Sequence, residues 1–512
     1  MKQLEAGHDN HEIGDLGESM AQLDVLIRNG TVATAADVSQ CDVAISSGKV
    51  VALGRDLGAA RRTIDAAGML VLPGGVEGHC HIEQMGSLGV MTADDFYSGT
   101  VAAVFGGTTS ILSFAAQHRG QSLRKTVDDY MACAVPKAVI DYGFHLIISD
   151  PTPQVLGQEL PALIKDGFSS FKVYMTYDKL ALADIQILEV LSVARRHGAF
   201  VLVHAENHDM IKWLRQRLVE RGHVEPRYHA ISHPRIGEGE ATHRVIALSR
   251  LADVPILIVH VSTENAMEEI RDAQTAGFKI FAETCPQYLL LTANDLDREK
   301  MEGAKYCCSP PLRDKQSQQA MWRGIRNGTF QIFSSDHAPY SMDERGKLSA
   351  GPKPTFIQIP NGLPGIELRA PLLFSEGVSK GRIDINQFVA LTATNPAKLY
   401  GMYPRKGTIA VGSDADITIW DPRKEITVTY SMLHDASGYT PYEGMQVKGW
   451  PVVVLSRGRV AIENGELKIE RGSGQFLARD LSDAARPLGA LEAEIDPRTN
   501  FGTGLVTDRL EV

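Results

Sequence analysis

The chain has 512 residues, with hydrophobic residues at 44% and charged residues at 22%, the usage of a globular protein with a large core. Its 52 basic against 62 acidic side chains leave a net charge of -10, which argues against nucleic acid or an anionic membrane as a partner. No apolar run approaches the ~20 residues of a transmembrane helix, the segment Met1-Lys2-Gln3-Leu4-Glu5 leads into no signal-peptide core, and the six cysteines, with no C-x-x-C, read as reduced thiols in a cytoplasm.

Residues 1–22 are polar and unpatterned, a tail by composition. From Asp24 short β-like runs begin. Residues 25–28 pass through Asn29-Gly30 into Thr31-Val32, and residues 42–45 pass through Ser47-Gly48 into 50–53, two expected hairpins. The same texture returns at 416–420 and at 452–455, the latter followed by Arg457-Gly458-Arg459-Val460. Between about 70 and 400, apolar runs alternate with helix-patterned segments, the signature of a parallel sheet with helical crossovers. The candidate strands are 69–77, 108–114, 140–148, 168–175, 199–205, 254–261, 278–284 and 330–335. They predict an α/β protein: a (β/α)8 TIM-like barrel over 69–404 and a small β-sandwich built from both chain ends, 23–68 and 405–470. Residues 471–512 are again polar, a tail and a candidate oligomer contact.

Barrels place their chemistry at the C-terminal strand ends. The first candidate strand ends in His79 and His81, whose i, i+2 spacing in an extended segment turns both imidazoles to one side. The fourth carries Lys172 among apolar and aromatic neighbours, the fifth ends in His204-Ala205-Glu206-Asn207, the sixth in His260-Val261-Ser262, and the eighth in Asp336-His337-Ala338-Pro339. Singly, each has an ordinary explanation. His204 or His260 alone is a hydrogen-bonded core histidine, Asp336 a helix cap, Lys172 a snorkelling side chain. Together, at one face of one barrel, they make a site. Four neutral imidazoles and a carboxylate suit two divalent cations, and a lysine converted by carbon dioxide to a carbamate supplies the bridging anion that two neighbouring dications require. Such ligation suits zinc and also admits manganese or cobalt.

These residues and their surroundings resemble the cyclic amidohydrolases, specifically the dihydropyrimidinase/hydantoinase branch, over about residues 24–465. The motifs are Pro-Gly-Gly-x-x-x-His-x-His at 73–81, Asp94-Asp95-Phe96 with Gly106-Gly107-Thr108-Thr109, and Phe171-Lys172-Val173-x-Met175-x-Tyr177. His204-Ala205-Glu206-Asn207, His260-Val261-Ser262, Glu283-Thr284-Cys285-Pro286-Gln287-Tyr288 and Ser335-Asp336-His337-Ala338-Pro339 continue the series, which closes with Asn395-Pro396-Ala397 and Gly407-x-Ile409-x-x-Gly412-Ser413-Asp414-Ala415-Asp416. The resemblance implies that His79, His81 and Asp336 hold one metal and His204 and His260 the second, bridged by carboxylated Lys172. It implies ring opening of a small cyclic amide or ureide by attack of metal-bound hydroxide on a ring carbonyl, with Asp336 as proton shuttle and Tyr177 on the oxyanion. It implies that the main chains of Ser309 and Asn361 grip the ring, and that the enzyme is a homo-oligomer, tetramer or dimer.

Two departures stand out. Glu77 occupies the position two residues before H-x-H where the family usually has Asp, and the loop 82–88 lacks the usual aromatic. That loop is expected to line the ring substituent, with Glu83 and Gln84 favouring a polar ring. Glu83 also takes the place of the Arg that dihydroorotases use to bind a carboxylate. An allantoinase or a cyclic-imide hydrolase is the alternative within the superfamily. A non-catalytic scaffold is the alternative outside catalysis, and the filled ligand positions count against it.

Overall fold

The computed structural model describes residues 23–505; the polar tail expected at 1–22 and the last residues, 506–512, lie outside the described residues. The strands fall into three sheets. The first holds β1 (Leu23–Arg28), β4 (Asp42–Ser46), β5 (Lys49–Gly54) and β6 (Ala60–Asp65) in the order β5-β4-β1-β6. The second holds β2 (Thr31–Ala33), β3 (Val38–Gln40) and β7 (Leu70–Pro73) from the early chain. From the late chain it takes β16 (Ile417–Thr427), β17 (Gln446–Ser456), β18 (Arg459–Glu463) and β19 (Glu466–Leu467), in the order β19-β18-β17-β16-β7-β2-β3. Val25, Ile27, Val43 and Ile45 from the first sheet meet Val71, Ile417, Ile419 and Leu455 from the second in one buried cluster, so the two pack face to face.

The third sheet is the barrel. Its eight parallel strands run in chain order: β8 (Gly75–Cys80), β9 (Thr108–Ala116), β10 (Asp141–Ile147), β11 (Ser170–Tyr174), β12 (Phe200–His204), β13 (Ile256–Ile258), β14 (Ile280–Thr284) and β15 (Ile332–Phe333). The ring closes where Cys80 bridges His337, just beyond β15, and His81 N donates to His337 O at 2.7 Å. These strands are buried on both faces, as expected for a sheet wrapped by helices. One cluster fills the interior with Val76, Phe114, Ile147, Phe200, Leu202, Leu257 and Ile332.

Two sequence expectations need correction. The run 69–77 is not one strand: β7 belongs to the second sheet and β8 to the barrel. The switch is a change of acceptor between consecutive amides, since Gly74 N donates to Asp416 O at 2.8 Å and Gly75 N to Gly107 O at 2.9 Å. A Cβ on Gly74 would sit 2.1 Å from Thr109 Oγ1, so only glycine permits this crossing. Asn29-Gly30 does not close a hairpin either. β1 pairs with β4 and β6, whereas β2 pairs with β3 and runs parallel to β7. Asn29 is held by the Asp42 and Asp65 carboxylates, so the dipeptide is the corner by which the chain changes sheets. The hairpin through Ser47-Gly48 forms as expected, both residues at positive φ between β4 and β5.

The segment after β19 packs against the barrel. Phe476 bridges Tyr142, and buried Arg479 donates to Ser170 Oγ and Phe144 O, each at 2.6 Å.

Candidate metal centre and active site

Strand geometry delivers the candidate ligands. His79 stands in β8, Lys172 in β11 and His204 at the end of β12, while His81, His260 and Asp336 follow just past β8, β13 and β15. All six are nearly or wholly buried, His81 the most accessible of them. One Asp336 carboxylate oxygen lies 3.0 Å from His79 Nε2 and 3.3 Å from His81 Nε2, and Lys172 Nζ lies 2.8 Å from His79 Nε2. The His204 and His260 rings meet edge to face with centroids 4.4 Å apart, and His260 is 5.3 Å from His79. His260 and Asp336 reach their places from left-handed backbone, φ 40 and 48, strain of the kind found at functional sites.

Each imidazole has its outward nitrogen fixed or free for a reason. Glu283 accepts from His79 Nδ1 at 2.7 Å, Gln84 Oε1 from His81 Nδ1 at 2.9 Å, and Glu206 Oε2 from His204 Nε2 at 2.7 Å. The opposite nitrogens are thereby left to serve as lone-pair donors, those of His79 and His81 beside Asp336 Oδ1. His260 Nδ1 is buried and has no hydrogen-bond partner. Burial holds His260 well below the usual imidazole value and takes His81 down to about 4. In His79, burial and Lys172 act downward, but Glu283 and Asp336 carry it above its ordinary value. Burial would raise the Asp336 carboxyl, yet the surrounding imidazoles hold it well below the usual range, as an anion. Burial also lowers the Lys172 ammonium to about 8, against the pull of Asp336 and Glu283, which makes the neutral amine accessible.

The donor set fits metal ions. Candidate ligand atoms of His79, His81 and Asp336 lie within 4.8 Å of one another. A second carboxylate trio, Asp141, Asp414 and Asp416, has the same compactness but already encloses a cation: Lys406 Nζ lies 2.7, 2.9 and 2.6 Å from its oxygens. That trio is an ion-pair cluster. The His79 group has no such occupant except the Lys172 amine.

Above the ligands lies a cavity of about 120 Å³. Its wall includes Tyr177, Ser309 and Asn361, so all three expected substrate contacts face the expected metal ligands. Burial pushes the Tyr177 hydroxyl up, with the Glu206 carboxylate adding to it, while Ser309 and Asn361 partly offset the rise. Tyr177 is therefore a protonated donor at neutral pH. Ser309 Oγ donates to Glu206 Oε2 at 2.7 Å, the oxygen that also holds His204, and Glu206 Oε1 accepts from His233 Nδ1 at 2.7 Å. One carboxylate thus ties His204 to the loop that carries Ser309.

The loop 82–88 lines this cavity through Gln84, Gly86, Ser87 and Leu88. Glu83, like Ile82 and Met85, is not part of that lining, which corrects the expectation placed on it. It turns away at φ 50, where it accepts from Phe96 N at 3.2 Å and pairs with Lys137 at 2.5 Å, and it is absent from the lining. Glu77 also touches no ligand side chain. Its carboxylate, wholly buried, accepts from His79 N at 2.8 Å and Ser335 N at 3.0 Å and faces Arg369 Nε at 3.2 Å. It locks the end of β8 to the loop that carries Asp336.

Sequence reasoning passed over several supports. Glu283 ends β14, so the strand-end rule that found the other ligands reaches it too. Lys347 carries no such signal. Wholly buried in a loop, its Nζ donates to Cys307 O, Pro360 O and Gly362 O at 2.8, 2.8 and 2.7 Å. Those carbonyls flank Ser309 and Asn361, so one ammonium staples both loops of the cavity wall.

The profile of the Amidohydrolase family matches residues 70–461. The chain is 45% identical over 458 residues to the D-hydantoinase of Ralstonia pickettii, covering 89% of this chain and 99% of that protein. It is 44% identical over 474 residues to the D-hydantoinase of Geobacillus stearothermophilus, covering 92% and 98%. Among solved structures, the dihydropyrimidinase from Brevibacillus agri NCHU1002 superposes with a TM-score of 0.87 at 45% identity, over 90% of this chain and 99% of that one.

Proposed function

The chain belongs to the amidohydrolase family, and from that premise we propose that it is a binuclear metal hydrolase that opens the ring of a hydantoin or dihydropyrimidine. The observation that carries this reading is the convergence of His81, Lys172, His204, His260 and Asp336 on the floor of a cavity walled by Tyr177, Ser309 and Asn361, with buried His79 behind them against Asp336 and Lys172. His79, His81 and Asp336 would hold one divalent ion and His204 and His260 the other, with Lys172 joining them as its N6-carbamate. Bound there, the ions supply Lewis acidity that lowers the pKa of water towards neutrality and polarises a ring carbonyl.

The residues of the chain divide the remaining work. The main chains around Ser309 and Asn361 orient the ring amide. Asp336 accepts a proton from the attacking water and delivers it to the departing ring nitrogen. One water is consumed, the carbonyl C–N bond breaks, and a carboxylate and a ureido group form. Tyr177, held as a neutral hydroxyl, donates to the oxygen that gains charge, a preorganised donor worth about 10²–10³ in rate. Glu206, Glu283 and Gln84 keep the imidazoles in the tautomers that ligation needs.

Zinc is the proposed metal, and a cytoplasmic homotetramer or dimer the proposed form. Free thiols at all six cysteines support a reducing compartment. Ile185, Trp213, Ile231 and Ile236, each more than half exposed, support association through the outer helices. The test is metal content and ring opening together, on protein produced with zinc and bicarbonate. About two metals per chain and hydrolysis of hydantoin or dihydrouracil are expected. A metal-free, inactive protein would instead be a scaffold.

A further inference from the structure

Arg215 lines the cavity wall beside Tyr177, Ser309 and Asn361, and ring opening leaves it without a task. It stands half-buried in the helix His208–Glu220. Its Nη2 lies 2.9 Å from His233 Nε2. His233 commits its Nδ1 proton to Glu206, so Nε2 is the acceptor and the guanidinium the donor. Burial, taking His233 down to about 4, keeps that imidazole neutral. The hydrogen bond therefore fixes the direction of the guanidinium without neutralising its charge.

Among the described residues no carboxylate lies within ion-pair reach of Arg215, and its Nε is buried with no hydrogen-bond partner. Two buried arginines do have carboxylate partners: Arg313 pairs with Glu238 at 3.0 Å and Arg369 with Glu77 at 3.2 Å. Asp336 is the one carboxylate of the cavity lining, and His79 and His81 engage it. A guanidinium presents a planar fork of donors matched to a carboxylate. Leu88, Val90, Phe356, Ile357 and Ile359 line the same cavity and offer an apolar path for a methylene stem.

We propose that Arg215 anchors a carboxylate borne on the ring substituent, so that the preferred substrates are cyclic ureides with an acidic side chain, the 5-(carboxyalkyl)hydantoins being the simplest class. This rests on the ring-opening reading above. Hydrolysis proceeds as for any hydantoin: water adds its oxygen to the carbonyl carbon, that C–N bond breaks, and the nitrogen takes the proton. The product is an N-carbamoyl amino diacid.

The experiment compares kcat/KM of the zinc-loaded enzyme on hydantoin, 5-(2-carboxyethyl)hydantoin and its neutral isostere 5-(2-carbamoylethyl)hydantoin, for wild type, Arg215→Gln and Arg215→Glu. Wild type should favour the acid over the amide by about ten- to hundredfold, the range for a single charge-assisted hydrogen bond. The ratio should fall near one in Arg215→Gln and below one in Arg215→Glu. A wild-type ratio at or below one, with hydantoin or the amide still hydrolysed, overturns the anchor and leaves the ring-opening reading standing. An unchanged ratio in Arg215→Gln, or an equal loss on acid and amide, also overturns it, the latter by making Arg215 a support for His233. If no ring compound is hydrolysed, both readings fall.

Discussion

Replacing Lys347 with methionine keeps the bulk of a long unbranched side chain and removes the ammonium that staples the cavity wall. Of its three acceptors, Cys307 O keeps a second donor, Gly362 N at 3.0 Å, whereas Pro360 O and Gly362 O lose the donor that Lys347 supplied. Two orphaned buried carbonyls at roughly 2–3 kcal/mol each come to about 5 kcal/mol. Against this stands the relief of a buried charge: burial lowers Lys347 from 10.5 to about 8, equivalent to about 3 kcal/mol. The net is about 2 kcal/mol of local stability, or roughly thirtyfold faster opening of the two loops. Hydrogen exchange of the peptides spanning 305–312 and 358–364 reads this directly. KM for the cyclic amide should rise with it, while metal content stays that of wild type. The pH dependence has a definite sign. Between about pH 8 and 10.5 the unfolded chain binds more protons at this lysine than the native one, so the penalty on the folded state is present below 8 and fades as pH rises. Unchanged exchange in those peptides, together with an unchanged KM, would refute the staple.

Three further outcomes follow from the same geometry. Lys172→Met should lose bound metal and with it on the order of 10³ in kcat/KM or more, since it removes the group proposed to join the two ions; metal analysis of dialysed protein checks it. Tyr177→Phe should lower kcat by about 10²–10³ with little change in metal content, as steady-state kinetics on hydantoin would show. Glu77→Gln should destabilise the protein by about 3–5 kcal/mol, because it leaves the buried Arg369 guanidinium without its counter-charge. Urea unfolding measures that loss, and an effect below about 1 kcal/mol would mean that Arg369 is satisfied by its carbonyl acceptors alone.

The barrel was legible because its strands are continuous apolar runs that end in polar, chemistry-bearing residues. From 108 onward each expected strand overlaps the one observed. The same rule brought out the six candidate ligands, because residues at alternate positions near these strand ends face the mouth of the barrel. Where the rule failed, a local pattern was outweighed by a distant partner. Asn29-Gly30 has hairpin composition, but residue 31 is captured by β7 some forty residues on, through Thr31 N to Met69 O. Glu83 reads as a substrate contact by its distance from His81, yet Lys137 and the start of the helix Phe96–Phe105 draw it outward. The crossing at Gly74-Gly75 was hidden because a run of apolar residues does not record which sheet accepts each amide.

The supports of the site show why its specificity is harder to read than its chemistry. Ligands are fixed by what a metal will accept, so their residue types declare them. Supports are fixed by what a particular gap requires, and many side chains can fill one gap. Glu77 illustrates the point: its carboxylate spans from His79 N to Ser335 N and reaches Arg369, and in doing so it sets the distance between the strand carrying two ligands and the loop carrying Asp336. A shorter aspartate from the same backbone would draw those partners together or lose one of them. The extra methylene in this chain is thus a statement about the spacing of β8 and the Asp336 loop, made at a residue that touches neither metal nor substrate. Arg215 and Lys347 belong to the same class. Neither lies at a strand end or in a motif, and both act on the wall of the cavity, where the proposed substrate would place its ring substituent.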